Sequence, residues 1–324
     1  MGRRCCRGKM PKGNGILLIF VLFLLFLLFI QRLQIENLED DDDDCSIDIE
    51  QEEYMANDVL PALSPESERI QQPDLEAAVA AVAARQIAPS APRAAVQAQC
   101  IIVRTNLYDA AETGGEIPES MGEDDMRRLW GGDYEKNKAF YESCASETAG
   151  EVLVYDNAYI YAAYHAVSAG TTRSMAELYA DSNMPYLKPI SCPYDTSAEG
   201  YLSVCYWERA TFLEMCGQFC GGQVVHDTSE VKVTKRDASE YVLEVQISNG
   251  TVTGEEFRNA FSLDSACFTI TDLGDKVRVV TKGRGHGFGL SQNTAVRMAK
   301  EGKKYREILL AFFDGCDIQE LKEP

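Results

Sequence analysis

Apolar residues recur at helical spacing through the middle of the chain and at strand spacing beyond residue 151. The alanine-rich stretch LEAAVAAVAARQ (75–86) predicts a helix that stops before Pro89. A second helix is predicted from Pro92, placed in its first turn, to about Glu112, with Val96, Cys100, Val103 and Leu107 on one face. After a loop at ETGGEIPESMGEDDM comes a polar, partly helical surface segment ending near Glu151. The pattern then changes to alternation. EVLVYDNAYIYAAYHAVSAG (151–170) reads as a hairpin about the Asp156–Asn157 turn, and YLKPISCPYD and YLSVCYW read as short extended pieces.

The later half carries the strongest strand signal. SEVKVTKRDASEYVLEVQISNGTVTGEEF predicts two strands joined around RDAS, a turn at Asn249–Gly250, and a helix opened by the capping box Thr253-x-x-Glu256. CFTITDLGDKVRVVTKGRG adds two strands, and ATFLEMCGQFCG (210–221) a short helix. The chain closes on a helix from Ser291 to about Lys300, stopped by Gly302, and a second in YREILLAFF. The fold class that follows is α+β, with mixed, mostly antiparallel sheets and packed helices behind a single N-terminal transmembrane helix.

Charge and hydropathy set the organisation of the N-terminus. The first twelve residues hold five Lys or Arg and no acid, and Ile16–Ile30 are uninterruptedly apolar. Counted from Gly13 to Leu33, the stretch approaches the roughly 20 residues that span a bilayer, and no small-x-small cleavage site follows it. We read residues 1–12 as a basic cytoplasmic tail, 13–33 as an uncleaved signal-anchor, and 34–53, with its run of aspartates to Asp44, as an acidic stalk. Everything beyond lies outside the cell membrane on this reading. The 324 residues carry a formal charge of −20, from 51 acidic and 31 basic residues, which excludes a nucleic-acid binder. Of the eleven cysteines, nine fall beyond the anchor without an evident disulfide framework. Cys100 and Cys267 sit in apolar runs and read as small buried hydrophobes.

The segment KGRGHGFGLSQNTA (282–295) carries glycines at 283, 285, 287 and 289 around His286. It fails the dinucleotide fingerprint, because Phe288 and Leu290 stand where the third glycine belongs, and it lacks the Gly-Lys-Ser/Thr of a phosphate loop. A strand, a glycine turn and a helix capped by Ser291 remain, an arrangement able to present backbone amides to a ligand. Two readings stand: a bare-walled cleft beside His286, or a tight turn around a core histidine.

This segment, with its continuation through VRMAKEGKKYREILLAFFDGCDI, closely resembles the closing pattern of the stage II sporulation protein D family, a G-x-G-H-G-x-G-x-S-Q run followed by "MA..G" and "Y.EIL". SAPRAAVQAQCIIVRTNL, YHAVSAGTTRSMAELY with MPYLKPISCPYD, and VTGEEFRNAFSLDSACFTI resemble further family segments in the same order, so the similarity spans about residues 47–318. The resemblance implies an extracytoplasmic domain at 54–320, behind a single-pass anchor in the cell membrane. It also implies action on peptidoglycan during sporulation, as a lytic transglycosylase that cleaves MurNAc–GlcNAc bonds of denuded glycan, or as an amidase enhancer. Peptidoglycan glycan strands and a cell-wall amidase are the implied partners.

The family's general acid is a Glu just ahead of the matched helix, and that position here is Gln86, whose amide has no proton to give. We therefore expect impaired or absent catalysis. The acidic residues Glu116, Glu119, Glu123 and Asp124 are the alternative source of a carboxylate, Glu76 lying too far along its helix. The expected cleft combines Gln86, Gln99, Arg104, His165, Ser168, His286, Ser291 and Gln292, with Trp207 or Tyr194 available to stack on a sugar ring. The resemblance also suggests a structural zinc on His165 and Cys192, with Cys205, Cys216 and Cys220 able to complete it; a core histidine is the competing reading.

Overall fold

The computed structural model describes residues 72–178, 184–219 and 221–321. The expected tail, anchor and stalk, the first residues of the expected domain, and Cys220 lie outside the described residues. Among the described residues no helix is long and apolar enough to cross a membrane.

Four helices open the described chain: α1 (Gln72–Gln86), α2 (Arg93–Thr113), α3 (Glu123–Trp130) and α4 (Tyr134–Glu147). α2 is the axis of the fold. Ala95, Ala98 and Ala110, together with Val96, Ile101, Ile102 and Val103, are buried, which lets neighbouring helices and strands approach closely. It stops at Gly114, whose positive φ of 71° makes the left-handed cap.

Next come β1 (Glu151–Tyr155), β2 (Ala158–Tyr159) and the two-residue β3 (Tyr164–His165). β1 and β2 form the predicted hairpin, and both Asp156 and Asn157 have positive φ, as a two-residue primed turn requires. β4 (Leu202–Glu208) leads into α5 (Arg209–Phe219), then β5 (Val231–Arg236), β6 (Val242–Ile247), β7 (Gly250–Thr253) and α6 (Gly254–Ala260). The capping box at Thr253 and Glu256 is present as predicted. The turn before it falls at Ser248–Asn249, one residue ahead of the expected pair, because Gly250 already pairs with Ile247. β8 (Phe268–Asp272), β9 (Lys276–Lys282), β10 (Leu290–Ser291), α7 (Gln292–Lys300), α8 (Tyr305–Phe312) and β11 (Asp317–Glu320) complete the described chain.

The sheets are small: β11-β1-β2, β4-β9-β8, β5-β6-β7, and the short pair β10-β3. Among the described residues every strand pair is antiparallel except β3 with β10. Two hydrophobic cores result. One gathers α2, the hairpin and α8 around Ile101, Ile102, Leu153, Leu290, Leu309 and Phe312. The other fills the space between α5, α6 and the two larger strand sets with Phe212, Val245, Phe257, Phe268 and Val279. The glycine-rich segment runs from β9, in the second core, to β10, in the first.

That route explains the alternating glycines and corrects one expectation. They do not leave a wall bare for a ligand. All four have positive φ, and the space a side chain would fill is taken by protein. A Cβ on Gly289 would stand 2.0 Å from the Ala163 carbonyl oxygen, and one on Gly285 2.8 Å from the His165 Cβ. Backbone packs directly on backbone there, so glycine is demanded twice over, by sterics and by φ.

Gly289→Ala is expected to destabilise the fold by roughly 2–5 kcal/mol, combining left-handed strain with overpacking. Gly302→Ala, at φ 90° with nothing within 4 Å, bears the strain alone and is expected to cost about 1–2 kcal/mol. Chemical denaturation of the two variants measures the difference.

Candidate functional site

The predicted residues come together as a hydrogen-bonded frame rather than as a row of exposed side chains. Its first part is a cluster of three glutamines. Gln99, buried on α2, donates from Nε2 to the Gln86 Oε1 at 2.7 Å. Gln292, in the first turn of α7, donates to the Gln86 carbonyl at 2.7 Å and to the Gln99 Oε1 at 3.2 Å. The end of α1, the middle of α2 and the start of α7 are thereby tied at one point. Gln86 is half-buried, and among the described residues no acceptor is recorded for its Nε2.

The second part is a pair of imidazoles about the backbone of one residue, Phe288. The His165 Nδ1 lies 2.9 Å from the Phe288 carbonyl oxygen and donates to it. The Phe288 N–H donates to the His286 Nδ1 at 3.0 Å, which leaves the His286 proton on Nε2. The rings stand edge to face, 5.9 Å apart. His165 is buried, and its Nε2 has no hydrogen-bond partner in the protein. Burial pushes His165 down to about 4. Burial first, then the neighbouring His165, Arg258 and Arg173, pushes His286 down to about 3. Both rings are neutral at pH 7.

Asp195 joins the two parts. Its carboxylate is fully buried and accepts from the Ser168 backbone N–H at 2.7 Å, Ser291 Oγ at 2.7 Å, Thr294 Oγ1 at 2.8 Å and Asn293 Nδ2 at 3.0 Å. Ser291 caps α7 through its Oγ and is the strand partner of His165. Ser168 and Ser291 are therefore buried supports, not groups lining an open cleft. In the sequence Asp195 is one acid of PYD, with no local pattern that marks it out.

Arg173 was likewise not singled out. It is fully buried between the rings of Tyr241 and Phe288, each 4.7 Å away, and pairs with Asp237 at 2.7 Å and Glu255 at 2.5 Å. Its guanidinium also donates to the His286 carbonyl at 3.2 Å, so it holds the glycine-rich segment from the far side. One buried arginine looks like another in a linear sequence, and nothing there distinguishes its partners.

Arg104 is a correction. It is fully buried and makes no contact with the glutamines or histidines. Both carboxylate oxygens of Glu76 bind it, and the Glu151 and Ala145 carbonyls take further donors at 2.9 and 3.1 Å. It locks α1 to the α4–β1 corner, because a buried guanidinium must have its charge and donors matched. Glu76 is thereby engaged as well.

Among the described residues no hydrogen bond joins a carboxylate of the acidic loop to Gln86, and three of its four acids are paired elsewhere. Glu119 pairs with Arg85 at 2.7 Å, Glu123 with Lys138 at 2.7 Å, and Asp124 approaches Arg127 at 3.7 Å. Trp207 packs inward on Phe212 and Phe261, and the Tyr194 hydroxyl is bonded to Glu301 at 2.7 Å.

The residues do not fit the suggested zinc. Cys192 is buried in the first core, and burial pushes its thiol up to about 11, away from the thiolate that zinc needs. Cys216 belongs to the second core. Among the described residues no three His, Cys, Asp or Glu side chains are grouped to hold a metal.

These features define a mixed α+β domain whose two cores meet at a glutamine and histidine frame. The family model described as "Stage II sporulation protein" matches residues 64–155, the stretch holding α1 to β1. The stage II sporulation protein D of Bacillus subtilis (strain 168) is 28% identical over 275 residues, covering 81% of this chain and 79% of that protein. The protein of the same name from Bacillus amyloliquefaciens is 32% identical over 195 residues, 60% of this chain and 55% of that one. An uncharacterised protein of Brachyspira hyodysenteriae is 26% identical over 251 residues, 76% and 66% of the two chains. The chain is similar to the stage II sporulation protein D family, by the family model over residues 64–155 and by these relatives over most of its length.

The depressed histidines set a pH dependence. The unfolded chain takes up protons on them below about pH 6.5 while the folded form resists until about pH 4, so stability falls as pH drops through that window. His165 alone accounts for about 3 kcal/mol at about 1.4 kcal/mol per unit. Urea titrations between pH 7.5 and 4 are expected to show a shallower loss for His165→Gln than for the native chain.

Proposed function

We propose that this chain binds peptidoglycan glycan strands without cleaving them, held by residues 13–33 at the outer face of the cell membrane. The reading rests first on the likeness to stage II sporulation protein D, which supports a sporulation-related, cell-wall role. The observation that carries the rest is the state of position 86. Its side chain is an amide, bonded to Gln99 at 2.7 Å, and among the described residues no carboxylate is recorded as hydrogen-bonded to it.

A lytic transglycosylase needs a carboxylic acid to protonate the leaving oxygen and then to act as base while the sugar's own hydroxyl closes the ring. Gln86 does neither. The donor left on its Nε2 suits a hydroxyl or N-acetyl oxygen of the glycan instead. A strand held in this way, uncut, could be presented to a partner amidase, which is the role that related domains suggest.

The second reading, an active transglycosylase, needs a carboxylate from elsewhere in the chain. Gln99, whose Nε2 donates to the Oε1 of residue 86 at 2.7 Å, would hold a carboxylate at that position equally well, which makes Gln86→Glu a fair comparison. The two part on one experiment. Denuded glycan strands are incubated with the full chain in mild detergent and the products are read by mass spectrometry. Binding without anhydro-MurNAc products is expected from the native chain, and Gln86→Glu is expected to gain product by about 10²-fold or more over background, the scale of a positioned general acid. Anhydro products from the native chain would overturn the proposal.

A further inference from the structure

The sheet β4-β9-β8 turns one face to the second core and leaves the other uncovered. Ser203, Cys205 and Trp207 alternate inward, while Leu202, Val204 and Tyr206 point out with exposures of 59, 48 and 56%. The pairing of β4 with β9 places Lys282 beside Leu202, Val280 beside Val204 and Arg278 beside Tyr206. An apolar row flanked by a basic one therefore covers this face.

β4 is also an edge. The sheet order puts β9 on one side of it, and among the described residues no backbone hydrogen bond joins residues 203–208 to a strand on the other. Exposed edges in folded proteins are ordinarily blunted by a lysine, a proline or a bulge. β4 has none of these over seven residues, and its register with β9 runs without a break. Its only charged residue, Glu208, sits at the far end, paired with Lys276 at 3.1 Å.

The cations are the second observation. The chain carries −20, and many described Arg and Lys side chains pair with acids, although Lys232, Lys235 and Arg236 of β5 are among those with no recorded ion pair. Arg278 and Lys282 have no recorded acidic partner, and the Arg278 Nε is buried without an acceptor. Two unbalanced cations beside three exposed apolar side chains and an open backbone edge are complementary to one kind of ligand.

We infer that β4 is a docking edge for an extended acidic segment of a partner protein, added as a fourth strand. Backbone hydrogen bonds give the attachment, and alternate side chains of the incoming strand lie over the apolar row and meet the basic one. A second copy of this chain is a poor occupant of this face, because its β4 edge brings a second Arg278 and Lys282, and its one acid, Glu208, is already paired with Lys276. A polyanionic polymer uses the cations but neither the apolar row nor the edge. The inference does not depend on the proposed glycan binding. The two sites are nonetheless neighbours, since Gly283 N, at the start of the glycine-rich segment, bonds to the Tyr201 carbonyl at 2.7 Å.

The probe is a short fluorescent peptide of alternating valine and glutamate, titrated into the full chain in mild detergent. Its twin is N-methylated at alternate residues, so that one backbone edge is blocked. The first peptide is expected to bind and to slow hydrogen exchange of the β4 amides, and the methylated twin to fail. Tyr206→Lys or Leu202→Lys is expected to weaken binding by about tenfold or more. Arg278→Gln with Lys282→Gln is expected to weaken it and flatten its salt dependence. Circular dichroism checks that each variant is folded. Absence of peptide binding at about 1 mM, equal binding of the methylated twin, or binding unchanged by Tyr206→Lys would each overturn the inference. So would inorganic polyphosphate competing equally in native chain and Tyr206→Lys, which assigns the face to a polyanion. A dimer that Tyr206→Lys dissolves assigns it to a second copy and is equally fatal.

Discussion

The buried carboxylate of Asp195 is the interaction on which the site depends. A charge taken out of water must recover its hydration from fixed donors, and Asp195 does so with four, at 2.7 to 3.0 Å. Three of them, Ser291, Asn293 and Thr294, belong to the start of α7, and the fourth is the backbone at Ser168. The capped helix start is thereby fixed against the segment that follows β3. The orientation of α7 then carries Gln292 onto Gln86 and Gln99, and the strand pairing of Ser291 with His165 brings the imidazole pair alongside. Removing the carboxylate would leave several buried donors unsatisfied at once, each a cost of about 1–3 kcal/mol.

Around that hub the chain exchanges side-chain variety for backbone proximity. The glycines allow the Phe288 backbone to lie between two neutral histidines, His165 donating to its carbonyl and His286 accepting from its N–H. Arg173 closes the same segment from behind with two carboxylates and two aromatic faces. Most of what resembles a reactive centre is therefore structural, buried and held by its neighbours, although the His165 Nε2 and the Arg173 Nη2 have no recorded partner. Gln86 differs in being half-exposed, at the end of α1, with a donor left over. Function and architecture part company at that one residue, and the amide there is what turns the reading from cleavage towards binding.

Much of this was legible in sequence for identifiable reasons. The helices at 75–86 and 93–112, the Asp156–Asn157 hairpin and the Thr253 capping box rest on local chemistry, and they stand where periodicity and caps put them. Cys100 and Cys267 are buried as their apolar surroundings implied. The gathering of Gln86, Gln99, Gln292, His165 and His286 was anticipated through family resemblance, not through spacing. What could not be read is long-range and electrostatic. Arg104 looked available and is consumed by Glu76. Asp195 looked ordinary and receives donors from two distant segments. β11 is a polar four-residue strand, and β3–β10 is a two-residue parallel pair, both too short for periodicity to register. The glycines were misread because their neighbours, Ala163 to Ala169 and Tyr241, lie far away in sequence.

The most direct test of the account follows the side-chain amide of Gln86. With 15N-labelled chain in detergent, its Nε2 resonance is recorded while a denuded MurNAc–GlcNAc oligosaccharide is titrated in. Gln97, whose Nε2 is bonded to Glu147 at 2.7 Å on another face of α2, serves as the internal reference. The account predicts that the Gln86 amide shifts saturably with the oligosaccharide while Gln97 stays still and the sugar remains intact. Saturable binding that leaves the Gln86 resonance unmoved would contradict it.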